Sequence, residues 1–147
     1  VRVALYHNIL NDEITLAVMM VYPTIELNIY KWNGLKWQSL GHAIVVTRPQ
    51  VNRYHMHLTL ARNRVAFGGP GDMMAESNKP GAVFVYEYNA TRREWTPMMA
   101  GSEETAKMIQ GGMKEDGFAD TMAFSGNQVA LSKTSEDGIV SVCIYRQ

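Results

Sequence analysis

The chain has 147 residues, with 14 Lys plus Arg balanced against 14 Asp plus Glu and 46% hydrophobic residues. That length supports one ordinary core without requiring a second domain, and the balanced charge argues against a nucleic-acid surface, which needs clustered positive charge. The longest apolar run, Leu16 to Tyr22, falls far short of the roughly 18–20 residues that a membrane-spanning helix needs.

One cysteine, Cys143, excludes an internal disulfide framework. Ten methionines suit either a core or an adaptable contact surface. The chain opens on Val1 with neither an initiator Met nor a signal-peptide pattern, so it is expected to be processed or a piece of something larger.

In chain order, the first expected strand centres on Val3-Ala4-Leu5 and the second on Leu16-Ala17-Val18. The third is the aromatic-rich Ile25–Trp32, closed by Asn33-Gly34, a strong tight-turn signal. Trp37 opens the fourth, in "KWQSLG", and a connection of His42–Arg53 follows. The order then repeats. Leu58-Thr59-Leu60 and Val65-Ala66-Phe67 flank Arg62-Asn63, and the second of these runs into Gly68-Gly69-Pro70-Gly71, read as a turn. Ala82–Asn89 is the aromatic strand, and Trp95 opens a fourth. The connection Ala100–Gly117 is long, and its "EETAKMIQGGM" has the composition for one or two helical turns. A last group comprises Met122-Ala123-Phe124, Val129-Ala130-Leu131 and Ile139–Arg146, with Ser125-Gly126-Asn127 as its first turn.

Tyr30, Tyr86 and Tyr145 fall in register in the aromatic strands, 56 and 59 residues apart, and Trp37 and Trp95 are 58 apart. A period near 60 residues with four antiparallel strands per period suggests propeller blades, and the central alanines fit face-to-face stacking of neighbouring blades. The expectation is all-β: eleven strands in a 4+4+3 pattern, in one domain with blades of about 1–46, 47–100 and 117–147. The last blade lacks its outer strand, so the propeller is open or partial. An ordinary β-sandwich is the competing architecture.

The repeat resembles the FG-GAP repeat of integrin-alpha-type β-propellers and of multi-repeat relatives in algae and other protists. The family pattern is an aromatic-Gly pair, a strand, "S-G-N-R-V-A-V", Gly-Ala-Pro, a loop and "G-x-V-x-V-Y". Tyr54 to Asn89, "YHMHLTLARNRVAFGGPGD…GAVFVYEYN", covers it, and Phe118 to Tyr145 covers it less closely. The Phe-Gly pair is replaced by Tyr54-His55 and Phe118-Ala119, and unit one lacks the glycine signature. The resemblance implies a propeller and slightly favours an extracellular or secretory setting. Several family members carry a D-x-D-x-D-G calcium loop. Here the corresponding stretches hold only Asp72 and Glu76, or Glu136 and Asp137. That is too few oxygens for the six to eight that calcium takes, so its sites are expected to be lost.

Catalytic and cofactor chemistry is not signalled. His55 and His57 would share one strand face, but a structural zinc site needs four ligands and no others are placed to approach. No nucleophile elbow, phosphate-cradling loop or H-E-x-x-H motif is present, so no enzyme, cofactor or metal is expected. Asn89-Ala90-Thr91 is an N-glycosylation acceptor at an expected hairpin tip.

Met98, Met99, Met108 and Met113, with Met73 and Met74 in another loop, could form an adaptable apolar rim or pack against the blades. The functional expectation is a non-enzymatic protein-interaction or scaffolding module. Its partners would be other protein chains or missing blades of the same chain, without nucleic acid and without a membrane span. Alternatives are an accessory subunit of a large assembly, or a fragment of a secreted adhesion protein or of an enzyme whose catalytic domain lies elsewhere. Propellers close with about four to eight blades, so three should leave two apolar end faces bare, to be covered by a longer chain or an assembly.

Overall fold

Period-two alternation sets the strands. Along Glu13–Met20 the side chains of Thr15, Ala17 and Met19 are buried while their neighbours are not, as a pleated strand with one covered face requires. The computed structural model describes residues 1–21, 24–47, 55–71, 81–98, 108–110, 118–119, 121–125, 128–134 and 137–146. The chain is all-β, with no α-helix among the described residues and three antiparallel sheets, none closed into a barrel.

The first sheet contains β1 (Arg2–Asn8), β2 (Glu13–Met20), β3 (Ile25–Trp32), β4 (Trp37–Ser39) and β5 (Ile44–Val46). The second contains β6 (His57–Ala61), β7 (Arg64–Gly69), β8 (Ala82–Asn89), β9 (Glu94–Pro97) and β10 (Met108–Gln110). The third contains β11 (Met122–Ser125), β12 (Gln128–Thr134) and β13 (Val140–Arg146). First strands adjoin, with β6 beside both β1 and β11, so the sheets meet along their inner edges as in part of a propeller.

Strand pairing places the repeat in one register. Leu5 opposes Leu16, which opposes Tyr30; Leu60 opposes Val65, which opposes Tyr86; Phe124 opposes Val129, which opposes Tyr145. The central alanines Ala17, Ala66 and Ala130 likewise face Ile29, Val85 and Ile144. The three tyrosines therefore hold equivalent positions on equivalent strands.

Three local expectations change. Among the described residues there are thirteen strands, not eleven, because both outer strands are in two pieces. β4 pairs with the second half of β3 and β5 with the first half, while β9 and β10 divide β8 in the same way. In the first sheet Leu40 N still donates to Ile29 O, then Gly41 (φ 81°) turns the chain outward before it returns at Ile44. The expected helical turns around 103–113 give way at Met108–Gln110 to β10, which pairs with backbone groups of Ala82–Phe84. The expected turn at Gly68-Gly69 is the end of β7 instead. A Cβ on Gly68 would strike the Ala82 carbonyl and lie 2.7 Å from Val83 Cα, so glycine there permits backbone-on-backbone approach. The expected tight turn at Asn33-Gly34 is present: Gly34 has positive φ (93°), and Asn33 N donates to Lys36 O at 3.2 Å as the chain reverses into β4.

Candidate interaction surface

Alternation gives every sheet two faces. One carries the Leu5–Leu16–Tyr30 set and its equivalents, and we term it the tyrosine face; the other, the alanine face, carries Ala17–Ile29 and its equivalents. Ala17, Met19, Ile25, Leu27, Ile29 and Ile44 from the alanine face of the first sheet form one core with Leu60, Val65, Phe67, Phe84 and Trp95 from the tyrosine face of the second. Ala66, Val83 and Val85 from the alanine face of the second sheet pack with Val129 and Leu131 of the third, with Phe124 and Tyr145 partly buried beside them. Both junctions have the same polarity. The sheets stack head to tail.

At the first junction aromatic residues interlock. Phe67 stacks on Phe84 and Tyr86 at ring-centroid distances of 5.4 and 5.9 Å. Burial pushes the Tyr86 hydroxyl above its ordinary pKa. Trp95 tilts against Tyr88 (5.3 Å) and its Nε1–H donates to Leu40 O of the first sheet at 2.7 Å. Gly41 lies beside those rings: a Cβ on it would be 3.2 Å from both Trp95 Cδ1 and Tyr88 Cε2. A second polar tie runs from Arg2 Nε to Met56 O at 3.0 Å.

This polarity leaves one face open at each end of the stack. On the first sheet the tyrosine face exposes Val3, Leu5, Met20, Trp37 and Val45. On the third the alanine face exposes Val140, Val142 and Ile144. At that end burial pushes the Tyr145 hydroxyl up, with Cys143 adding to the shift and Lys133 opposing it. Among the described residues no strand pairs with the outer edge of β13. Among the described residues, these open faces form the clearest candidate surface.

Of the methionines singled out in the sequence, Met98 is partly buried against the second core cluster, so it packs within the stack. Met108 lies in β10. Met73, Met74, Met99 and Met113 fall outside the described residues. Asn89 ends β8, where its Oδ1 accepts from Thr91 N and Arg92 N at 3.0 Å each, as Asn33 Oδ1 does from Leu35 N and Lys36 N. The acceptor asparagine is thus the half-buried last residue of β8, and the exposed four-residue loop Ala90–Arg93 follows it. His55 is exposed ahead of β6 and His57 is half-buried as its first residue. Asp72, Glu76 and Glu136 fall outside the described residues, while exposed Asp137 accepts from Ile139 N.

Two features were not apparent from the sequence. The first hairpin is longer than its counterparts, pairing out to Asn8 and Glu13, and its tip exposes Ile9 and Leu10. Trp95 was visible as a register mark, but not as an inter-sheet group. Comparisons with protein-family models, curated proteins and solved structures give no match for this chain.

Proposed function

We propose that the chain is a non-enzymatic protein-interaction or scaffolding module, built as a segment of an FG-GAP-like propeller whose end faces engage other protein. One observation carries this reading: three sheets stack in a single polarity and leave an apolar face uncovered at each end. Contiguous apolar surface of this kind marks protein contact in soluble proteins. The same faces, between neighbouring sheets, supply the chain's own cores. The functional chemistry is therefore burial of flat apolar β-surface against a matching surface.

Sedimentation velocity of the whole chain tests it. The wild-type chain is expected to show concentration-dependent mass above its 16.5 kDa monomer. Lysine at Val3 and Leu5 on one end, or at Val142 and Ile144 on the other, should reduce that association while the chain stays folded. A cooperatively folding wild-type monomer at all concentrations, indifferent to these substitutions, would overturn the module reading. Glycan on Asn89 would favour the adhesion form of the module.

A further inference from the structure

The open end of the first sheet carries an unpaired copy of the contact that joins the first sheet to the second. Trp32 and Trp37 tilt together at 5.4 Å and 59°, as Tyr88 and Trp95 do at 5.3 Å and 50°. Both pairs span the third and fourth strands at the same register, since Trp32 opposes Trp37 and Tyr88 opposes Trp95. Their surroundings differ. Trp95 is 9% exposed and donates to Leu40 O, with Gly41 lying against the rings, whereas Trp37 is 41% exposed. Its indole forms no hydrogen bond among the described residues.

We infer that the Trp32–Trp37 pair is a docking site for the outer-strand glycine turn of a further sheet of the same repeat type. That sheet would bring an alanine face onto Val3, Leu5, Leu16, Val18 and Tyr30, and a turn carbonyl to Trp37 Nε1. The inference rests on the module reading and names the partner for one end of it. The described sheets of a second copy do not supply that turn. Its first two sheets have covered alanine faces, and its third has the open face but no fourth strand among the described residues. The occupant is therefore a sheet that joins an open alanine face to a complete outer strand, as the first sheet does where it meets Trp95.

One end of the face adds a chemical requirement. Glu26 and Asn28 stand where the second sheet has Ala82 and Phe84, and they bond to each other at 2.9 Å. Six residues of strand, about 20 Å, separate Glu26 from Trp32, so the polar pair and the turn site occupy opposite ends. The native occupant should therefore combine a glycine turn at one end with a polar or basic group at the other.

The test extends the full chain with a second copy of residues 1–55 placed before Val1, so that Val1 takes the position Met56 holds. Trp32→Phe and Trp37→Phe in the added copy leave Trp32, Trp37 and Trp95 of the original chain as the only indoles. Indole N–H exchange is followed by NMR, with Trp95 as the internal control for the original stack. Extension is expected to slow exchange at Trp37 by about tenfold or more, the response of a newly bonded and buried N–H. Gly41→Val in the added copy should abolish the slowing while Trp95 stays protected. A second version carries Glu26→Ala and Asn28→Phe in the original first sheet, removing the polar pair should it oppose docking. Exchange at Trp37 unchanged in both versions, or slowing that survives Gly41→Val, would overturn the assignment. Sedimentation of the unextended chain separates the two failures: association through its end faces with an unprotected Trp37 leaves the module reading standing and removes only the turn site.

Discussion

At the residue scale, the two equivalent tryptophans have unequal consequences. Trp95→Phe keeps an aromatic ring but strands Leu40 O at a buried junction, an expected loss of about 1–3 kcal/mol. Trp37→Phe removes an N–H on an open face, and should change the stability of the isolated chain by less than about 0.5 kcal/mol. Paired urea titrations of the two variants check the contrast. The sequence placed both residues at the start of a fourth strand. It did not identify the acceptor, because Leu40 lies 55 residues from Trp95 and only sheet stacking brings them together. Asn33 and Asn89 were legible for the opposite reason: their Oδ1 atoms bond backbone N–H groups two and three residues ahead, so the whole interaction lies within a short stretch.

At the element scale, strand identity and register followed from alternation and the tyrosine positions, which the pairing of Leu16, Val65 and Val129 with Tyr30, Tyr86 and Tyr145 reproduces. The split outer strands did not. Ile44–Val46 and Met108–Gln110 are three residues each, too short to show a period, and are strands because β3 and β8 offer unpaired backbone to them. Gly68 and Gly69 misled in a similar way, since glycine marks a turn locally but here admits close backbone packing inside β7. The same strand holds the centre of the first core. Phe67 is fully buried between Phe84 and Tyr86, so Phe67→Ala should cost about 3–5 kcal/mol in chemical denaturation.

Tyr86 on β8 makes stability sensitive to alkali. Its pKa is raised by burial in the folded chain, so the unfolded chain releases this proton at lower pH. The stability associated with the neutral phenol is fully present below the ordinary tyrosine range and is lost as pH rises through the higher folded value. Urea midpoints measured at about pH 8 and about pH 11 should therefore fall more for wild type than for Tyr86→Phe. Equal falls would mean that the hydroxyl is not desolvated at the junction.

At the scale of the whole molecule, the proposed function rests on polarity. A stack in which every sheet offers its alanine face to the next sheet's tyrosine face cannot cover its own ends unless it closes, and the described sheets do not close. Apolar alternation in all three units made two open faces foreseeable from the sequence. Which face opens at which end was not, since a one-residue change of register exchanges the two. The most direct measurement of this polarity is a through-space NMR experiment on the indole protons of the full chain. Trp95 Nε1–H should show cross-peaks to protons of Leu40 and Gly41, while Trp37 Nε1–H should show them only within its own sheet and to water. A Trp95 indole without contacts to the Leu40–Gly41 turn, or a Trp37 indole in contact with the second sheet, would contradict the head-to-tail stack.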